Sequence, residues 1–180
     1  SANESLNEIN LAALREVSSI SVTNNEFLTA FAANGLISAD VSISFSGNRN
    51  LVSVQMGELR SMGSFVLRNN DSLAGLTMND VESLGALQLT DNASLASFAM
   101  NGVTSIDGTL YIENQPSLLN FSFTSLSTLG GINITRNRLL TEFSMGSLTE
   151  AGEIQIRENA DLMSIELNEL HSVTGAIIVD

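Results

Sequence analysis

Cysteine, lysine and tryptophan are missing from this sequence. Proline and histidine occur once each, and the seven basic residues, all arginine, face twenty acidic ones. Without cysteine there are no disulfides, thiolate nucleophiles or cysteine–zinc sites. A single proline in a chain that is 43% hydrophobic argues against a disordered segment. A net charge of −13 opposes contact with phosphate backbones and anionic lipid surfaces, so no nucleic-acid partner is expected. No apolar run approaches the roughly 18–20 residues of a membrane helix, so no direct membrane insertion is expected either. Neither an EF-hand string, a calcium nonapeptide nor a lysine-bearing phosphate loop is present, so no metal or cofactor is expected.

What the sequence does contain is repetition, over a length that suits one domain spanning residues 1–180. A marker amide returns at Asn3, Asn25, Asn48, Asn70, Asn92, Gln115, Asn137 and Asn159, every 22 or 23 residues. Three residues after each marker stands a leucine, from Leu6 through Leu95 to Leu162. Apolar residues follow six and eight after it, as in Phe98/Met100 and Phe121/Phe123, and again eleven and fourteen after it. Five and three before it come pairs such as Leu87/Leu89 and Ile132/Ile134. Ile177 and Val179 repeat that pair once more, opening a further coil.

Apolar pairs two residues apart predict strands with one buried face, and the steps of three predict tight turns. No sustained 3.6-residue stripe occurs, so no long helix is expected. A 22-residue unit cannot bury its own apolar face, whereas stacked units bury a continuous core. The pattern predicts an all-β, parallel β-solenoid of about eight coils. Its apolar columns, among them Phe98–Phe121–Phe143, become stacks in the core. The amides Asn25, Asn48, Asn70, Asn92, Gln115, Asn137 and Asn159 are expected to form an internal ladder, since a carboxamide carries both donor and acceptor. Asparagine is also expected to take the left-handed backbone of the turn. At Gln115, in the string Asn114-Gln115-Pro116, either the glutamine reaches into the ladder or Asn114 replaces it through a bulge. Glycines such as Gly63, Gly85, Gly108, Gly130, Gly152 and Gly175 recur at a corner where a Cβ would crowd the turn.

The segment Leu84-Gly85-Ala86-Leu87-Gln88-Leu89-Thr90-Asp91-Asn92 matches the leucine-rich-repeat string L-x-x-L-x-L-x-x-N. The apolar residue three after asparagine and the pair at six and eight depart from that repeat. With Ser105–Ile112 and Thr128–Ile134, they resemble receptor L-domain coils instead. The resemblance covers essentially the whole chain. It implies a right-handed solenoid that binds proteins or shapes cell surfaces, here a microbial or algal surface relative without the cysteines of animal receptors.

Functional residues are expected in outward columns. On the exposed strand face these include Arg68, Gln88, Tyr111, Glu113, Asn133 and Arg157, a candidate binding face that holds the only tyrosine. The column seven after the marker is small and suits docking. It has no regular Thr-x-Thr ladder, which leaves ice binding a remote alternative. No outward column stacks three acids, and His171 has no companion motif, so no catalytic residues are expected and the reading is non-enzymatic. Sequons occur at Asn3, Asn70, Asn92, Asn120 and Asn133; only Asn120 and Asn133 lie in outward columns, where a secreted protein could carry glycans. Neither end shows a cap, so the chain is expected to be a segment of a longer protein or to stack end to end with further copies. The function expected is that of an extracellular structural or adhesion module of a cell-surface, wall or fibre protein. The alternative is a ligand-recognition ectodomain that binds a protein or glycan.

Overall fold

The computed structural model describes Asn3 and residues 5–180. In chain order the strands are β1 (Glu8–Asn10), β2 (Glu16–Thr23), β3 (Ala30–Ala32), β4 (Ser38–Ser46), β5 (Ser53–Gln55), β6 (Ser61–Arg68), β7 (Gly75–Thr77), β8 (Ser83–Thr90) and β9 (Ser97–Ala99). They continue with β10 (Ser105–Glu113), β11 (Asn120–Ser122), β12 (Thr128–Thr135), β13 (Glu142–Ser144), β14 (Glu150–Arg157), β15 (Ser164–Glu166), β16 (Ser172–Val173) and β17 (Ile177–Val179). All pairings are parallel, and there is no helix among the described residues. The long even-numbered strands stack into one nine-stranded sheet, which β17 joins by pairing with β14. The short odd-numbered strands make a three-stranded and a five-stranded sheet. The chain is a β-solenoid.

Each coil is a long strand, a turn, a short strand and a second turn. The first turn is closed by the leucine N–H three after the marker, which donates to the marker carbonyl, as Leu95 does to Asn92 at 3.2 Å. The second is closed in the same way from eleven to eight after the marker, as Val103 to Met100 at 3.2 Å. The apolar pair six and eight after the marker is therefore not one strand. The strand ends at the seventh residue, and the eighth starts a turn. Pro116 occupies the first inner position of the turn from Gln115 to Leu118, where a missing N–H and a fixed φ are harmless.

Side chains alternate along the long strands, and the inward columns fill the core. Leu67, Leu89, Ile112, Leu118 and Phe123 have no solvent exposure, and the outward neighbours keep theirs. Phe98, Phe121 and Phe143 stack face to face at 4.9 and 5.0 Å, nearly parallel, with the Phe123 ring edge-on to the first two. The fold therefore places the apolar columns inside, with exposed members only in the end coils, at Leu11, Ile177 and Val179.

The amide ladder forms as the sequence predicts. Each marker's backbone N–H donates to the side-chain oxygen of the next marker, from Asn25 to Asn48 at 3.0 Å through Asn137 to Asn159 at 2.9 Å. The side-chain N–H2 reaches back to the preceding coil, as Asn92 Nδ2 does to the Leu67 carbonyl at 3.0 Å. Gln115 stays in the ladder: its Oε1 accepts from the Asn92 N–H at 3.3 Å, and its N–H donates to Asn137 Oδ1 at 2.9 Å. Being one methylene longer, it donates to the Glu113 carbonyl of its own coil instead of the preceding one.

One expectation needs correction. The left-handed residue is not the marker but the one before it: Asn24, Gly47, Asn69, Asp91, Asn114, Arg136 and Glu158 all have φ between 51° and 69°. The marker must direct its amide inward to the ladder, and the chain reversal just before it supplies that direction. The extra residue of the 23-residue coils lies in bulges at Asp40–Val41 and Asp107–Gly108, where the long strand begins, and not at Asn114. There the corner glycines meet their predicted crowding. A Cβ on Gly85, Gly130 or Gly152 would run into a backbone carbonyl of the coil below.

Candidate functional site

The outward side of the nine-stranded sheet carries the six residues singled out as a binding face. In one column Gln88, Tyr111 and Asn133 are direct ladder neighbours. Glu113 lies beside them in the next column, whose order is Arg68, Thr90, Glu113, Thr135, Arg157. Arg68 and Arg157 therefore flank the centre from opposite sides, four coils apart, or about 19 Å at the usual strand spacing. Four of the six residues come together, and the two arginines bracket them.

The centre is tied together by hydrogen bonds. Tyr111 Oη donates to Glu113 Oε2 at 2.5 Å, and Arg136 approaches the other Glu113 oxygen at 3.3 Å. Arg136 also faces Glu158 at 3.6 Å. Thr135 Oγ1 donates to Asn133 Oδ1 at 2.7 Å. The bond to Glu113 is the main reason that the Tyr111 phenol titrates above its ordinary value near 10, with burial adding to it and Arg136 and Arg68 opposing it. Ionising the phenol would break that bond and set two negative charges side by side. Because Tyr111 is the only tyrosine and tryptophan is absent, phenolate absorbance reports this group alone. Glu113→Gln is expected to move the absorbance titration to lower pH, and an unmoved curve would show that the bond does not form in solution.

Beside Tyr111 the face dips into a recess of about 420 Å³, lined by Thr109, Gly131, Asn133, Glu153 and Gln155 among others. Packing does not demand this dip. A Cβ on Gly131 would make only near-normal contacts, 3.4 Å from the Glu153 carbonyl and Thr109 Oγ1, unlike the neighbouring Gly130. Arg68 is exposed and makes no ion pair among the described residues. Thr90, enclosed between Arg68 and Glu113, leaves its buried hydroxyl without a partner, as Arg157 leaves its Nε. Arg157 Nε lies 4.0 Å from the Asp180 carboxylate.

Sequence reasoning missed Arg136 and the recess. Arg136 occupies the left-handed column, whose run of asparagine, glycine and aspartate signals loop chemistry rather than a site. The recess lies where Gly131, between Thr109 and Glu153 in an outward column, leaves that column without a side chain. Of the sequon asparagines, Asn70 and Asn92 are fully buried in the ladder. Asn120 is exposed at the start of β11, and Asn133 is half-buried on the sheet. His171 is exposed near the end of the chain. No group of three or more potential metal-ligating side chains gathers among the described residues. Comparisons with protein-family models, curated proteins and solved structures find no match.

Proposed function

We propose that this chain is a non-enzymatic, extracellular structural and adhesion module of a cell-surface, wall or fibre protein. One observation carries the reading. The interior is filled by apolar stacks and an amide ladder, so polar chemistry is confined to the outer surfaces, of which the nine-stranded parallel sheet is the broadest. Repetition gives such a module a stiff, even surface for many weak contacts, which together bind through multivalency. The likeness of its coils to receptor L-domain coils and the wholly cysteine- and lysine-free composition support a surface role.

A second reading, a ligand-recognition ectodomain for a protein or glycan, is favoured by the recess beside Tyr111. A half-buried aromatic next to amides and a carboxylate offers both an apolar platform and directed hydrogen bonds. The two readings separate in one experiment, with immobilised polysaccharides and glycoproteins as probes and electron microscopy of the chain alone. Tyr111→Ala and Gly131→Gln leave the core untouched. Under the second reading they are expected to lower retention on the bound probe at least tenfold, with the melting midpoint nearly unchanged. Ordered assemblies, or retention that survives both substitutions, point to the structural role. Absence of retention on every probe together with absence of assemblies would overturn both.

A further inference from the structure

Five large apolar side chains lie exposed along a single edge of the rod, at the turn that follows each marker: Phe27, Val52, Leu119, Leu139 and Met163. The order of the first four is self-complementary, whereas Met163 of coil 8 has Asn7 of coil 1 at its mirror position. Numbering coils by their markers from Asn3, the residues four after the marker in coils 2–7 are Thr29, Val52, Ala74, Ala96, Leu119 and Thr141. Those two after it are Phe27, Asn50, Ser72, Ser94, Ser117 and Leu139. Both rows read alike in character from either end, about a point between coils 4 and 5. One row runs hydroxyl, aliphatic, alanine and back. The other runs large apolar, polar, serine and back.

The outer polar members of these rows are already satisfied within the chain. Thr29 and Thr141 donate to the Asn7 and Leu119 carbonyls at 3.1 Å, and Asn50 and Ser117 to the Glu26 and Ala93 carbonyls at 2.7 Å. The symmetry thus extends to the hydrogen bonds. Charge adds one complementary pair: one residue after the marker, coil 2 carries Glu26 and coil 7 carries Arg138, both exposed and neither in an ion pair among the described residues. In the same column Arg49 and Asp71 of coils 3 and 4 face each other at 3.8 Å within the chain, and coils 5 and 6 carry Ala93 and Pro116.

We infer that this edge pairs with the same edge of a second copy of the chain, antiparallel, about a two-fold axis between coils 4 and 5. In such an isologous contact each residue meets its mirror position. Val52 then faces the partner's Leu119, Phe27 faces the partner's Leu139, Ala74 faces the partner's Ala96, and Glu26 faces the partner's Arg138. The small residues at the axis let the two edges approach. Both rods have the same axial repeat, so coil meets coil along the whole strip. A parallel pairing would instead set Glu26 against the partner's Glu26, a like-charge contact. A strip six coils long, about 29 Å by about 10 Å, is well below the roughly 800 Å² per partner of a standard interface, so the pair is weak in solution. It strengthens when many chains are held on one surface. The inference uses a different face from the proposed ligand site and does not depend on it.

The absence of cysteine makes the test clean. Val52→Cys and Leu119→Cys are made separately at exposed positions and oxidised mildly, alone and mixed. The mixture is expected to form the disulfide-linked dimer at least tenfold faster than either protein alone. Glu26→Arg in both proteins is expected to slow that reaction severalfold, and adding Arg138→Glu to restore it. Equal slow cross-linking in all samples overturns the inference. So does Val52→Cys cross-linking alone as fast as the mixture, which is the signature of parallel pairing.

Discussion

Asn92→Ala is expected to destabilise the chain by about 1–3 kcal/mol, the cost of a buried polar group left unsatisfied. Asn92 Oδ1 accepts from the Asn70 N–H at 3.1 Å and from Asn70 Nδ2 at 3.3 Å. Its own Nδ2 donates to the Leu67 carbonyl at 3.0 Å. Alanine thus strands the Asn70 backbone donor and takes one donor from the Leu67 carbonyl, in a site with no solvent exposure. The Asn70 N–H has no ladder partner, because the left-handed turn at Asn69 has carried the chain out of the sheet, whereas Leu67 lies within β6. Asn133→Ala is the control: the same residue type, but outward on the sheet, where its loss is expected to cost less than about 0.5 kcal/mol. Urea midpoints of the two variants decide the matter. Equal midpoints would mean that the ladder contributes nothing.

The second large effect is expected at the aromatic stack. Phe121→Ala should cost about 3–5 kcal/mol, the range for emptying a buried phenylalanine site. Its ring lies between Phe98 and Phe143, nearly parallel to both, with Phe123 edge-on. The surrounding coils are held at fixed spacing by their parallel strands, so they cannot collapse into the gap, and the loss falls at the upper part of that range. Phe121→Leu, which keeps most of the volume, is expected to cost about 1.5 kcal/mol or less. In a repeat array the deficit is also local, because each coil touches only its neighbours. Hydrogen exchange should therefore accelerate first in the coils marked by Asn92, Gln115 and Asn137. Uniform acceleration along the chain would show a fold far more cooperative than nearest-neighbour stacking allows.

The fold was legible because a solenoid turns sequence period into spatial neighbourhood. Leu87, Leu110 and Ile132 are 22 or 23 residues apart in the chain and adjacent in the sheet, and any column of matching letters has the same property. The ladder was legible for the same reason, since a buried turn tolerates only a side chain that both donates and accepts, while the choice between Gln115 and Asn114 needed the structure. The candidate face was legible in part. Gln88, Tyr111 and Asn133 meet because they share a column, whereas Arg136 reaches Glu113 through side-chain length and the direction of a left-handed turn, which no column records.

Period and alternation alone thus determined the coil, the inward and outward columns and the amide ladder, because each follows from burying apolar groups and pairing buried polar ones. The folded chain was needed to decide where the two inserted residues bulge, which residue takes the positive φ, and how short strands yield to turns. It also decided which outward groups sit together, giving a recess beside Tyr111 and one self-complementary apolar edge. Those features depend on side-chain reach and on the approach of one coil's backbone to the next. Such distances are set in three dimensions and leave no periodic trace in the order of the residues.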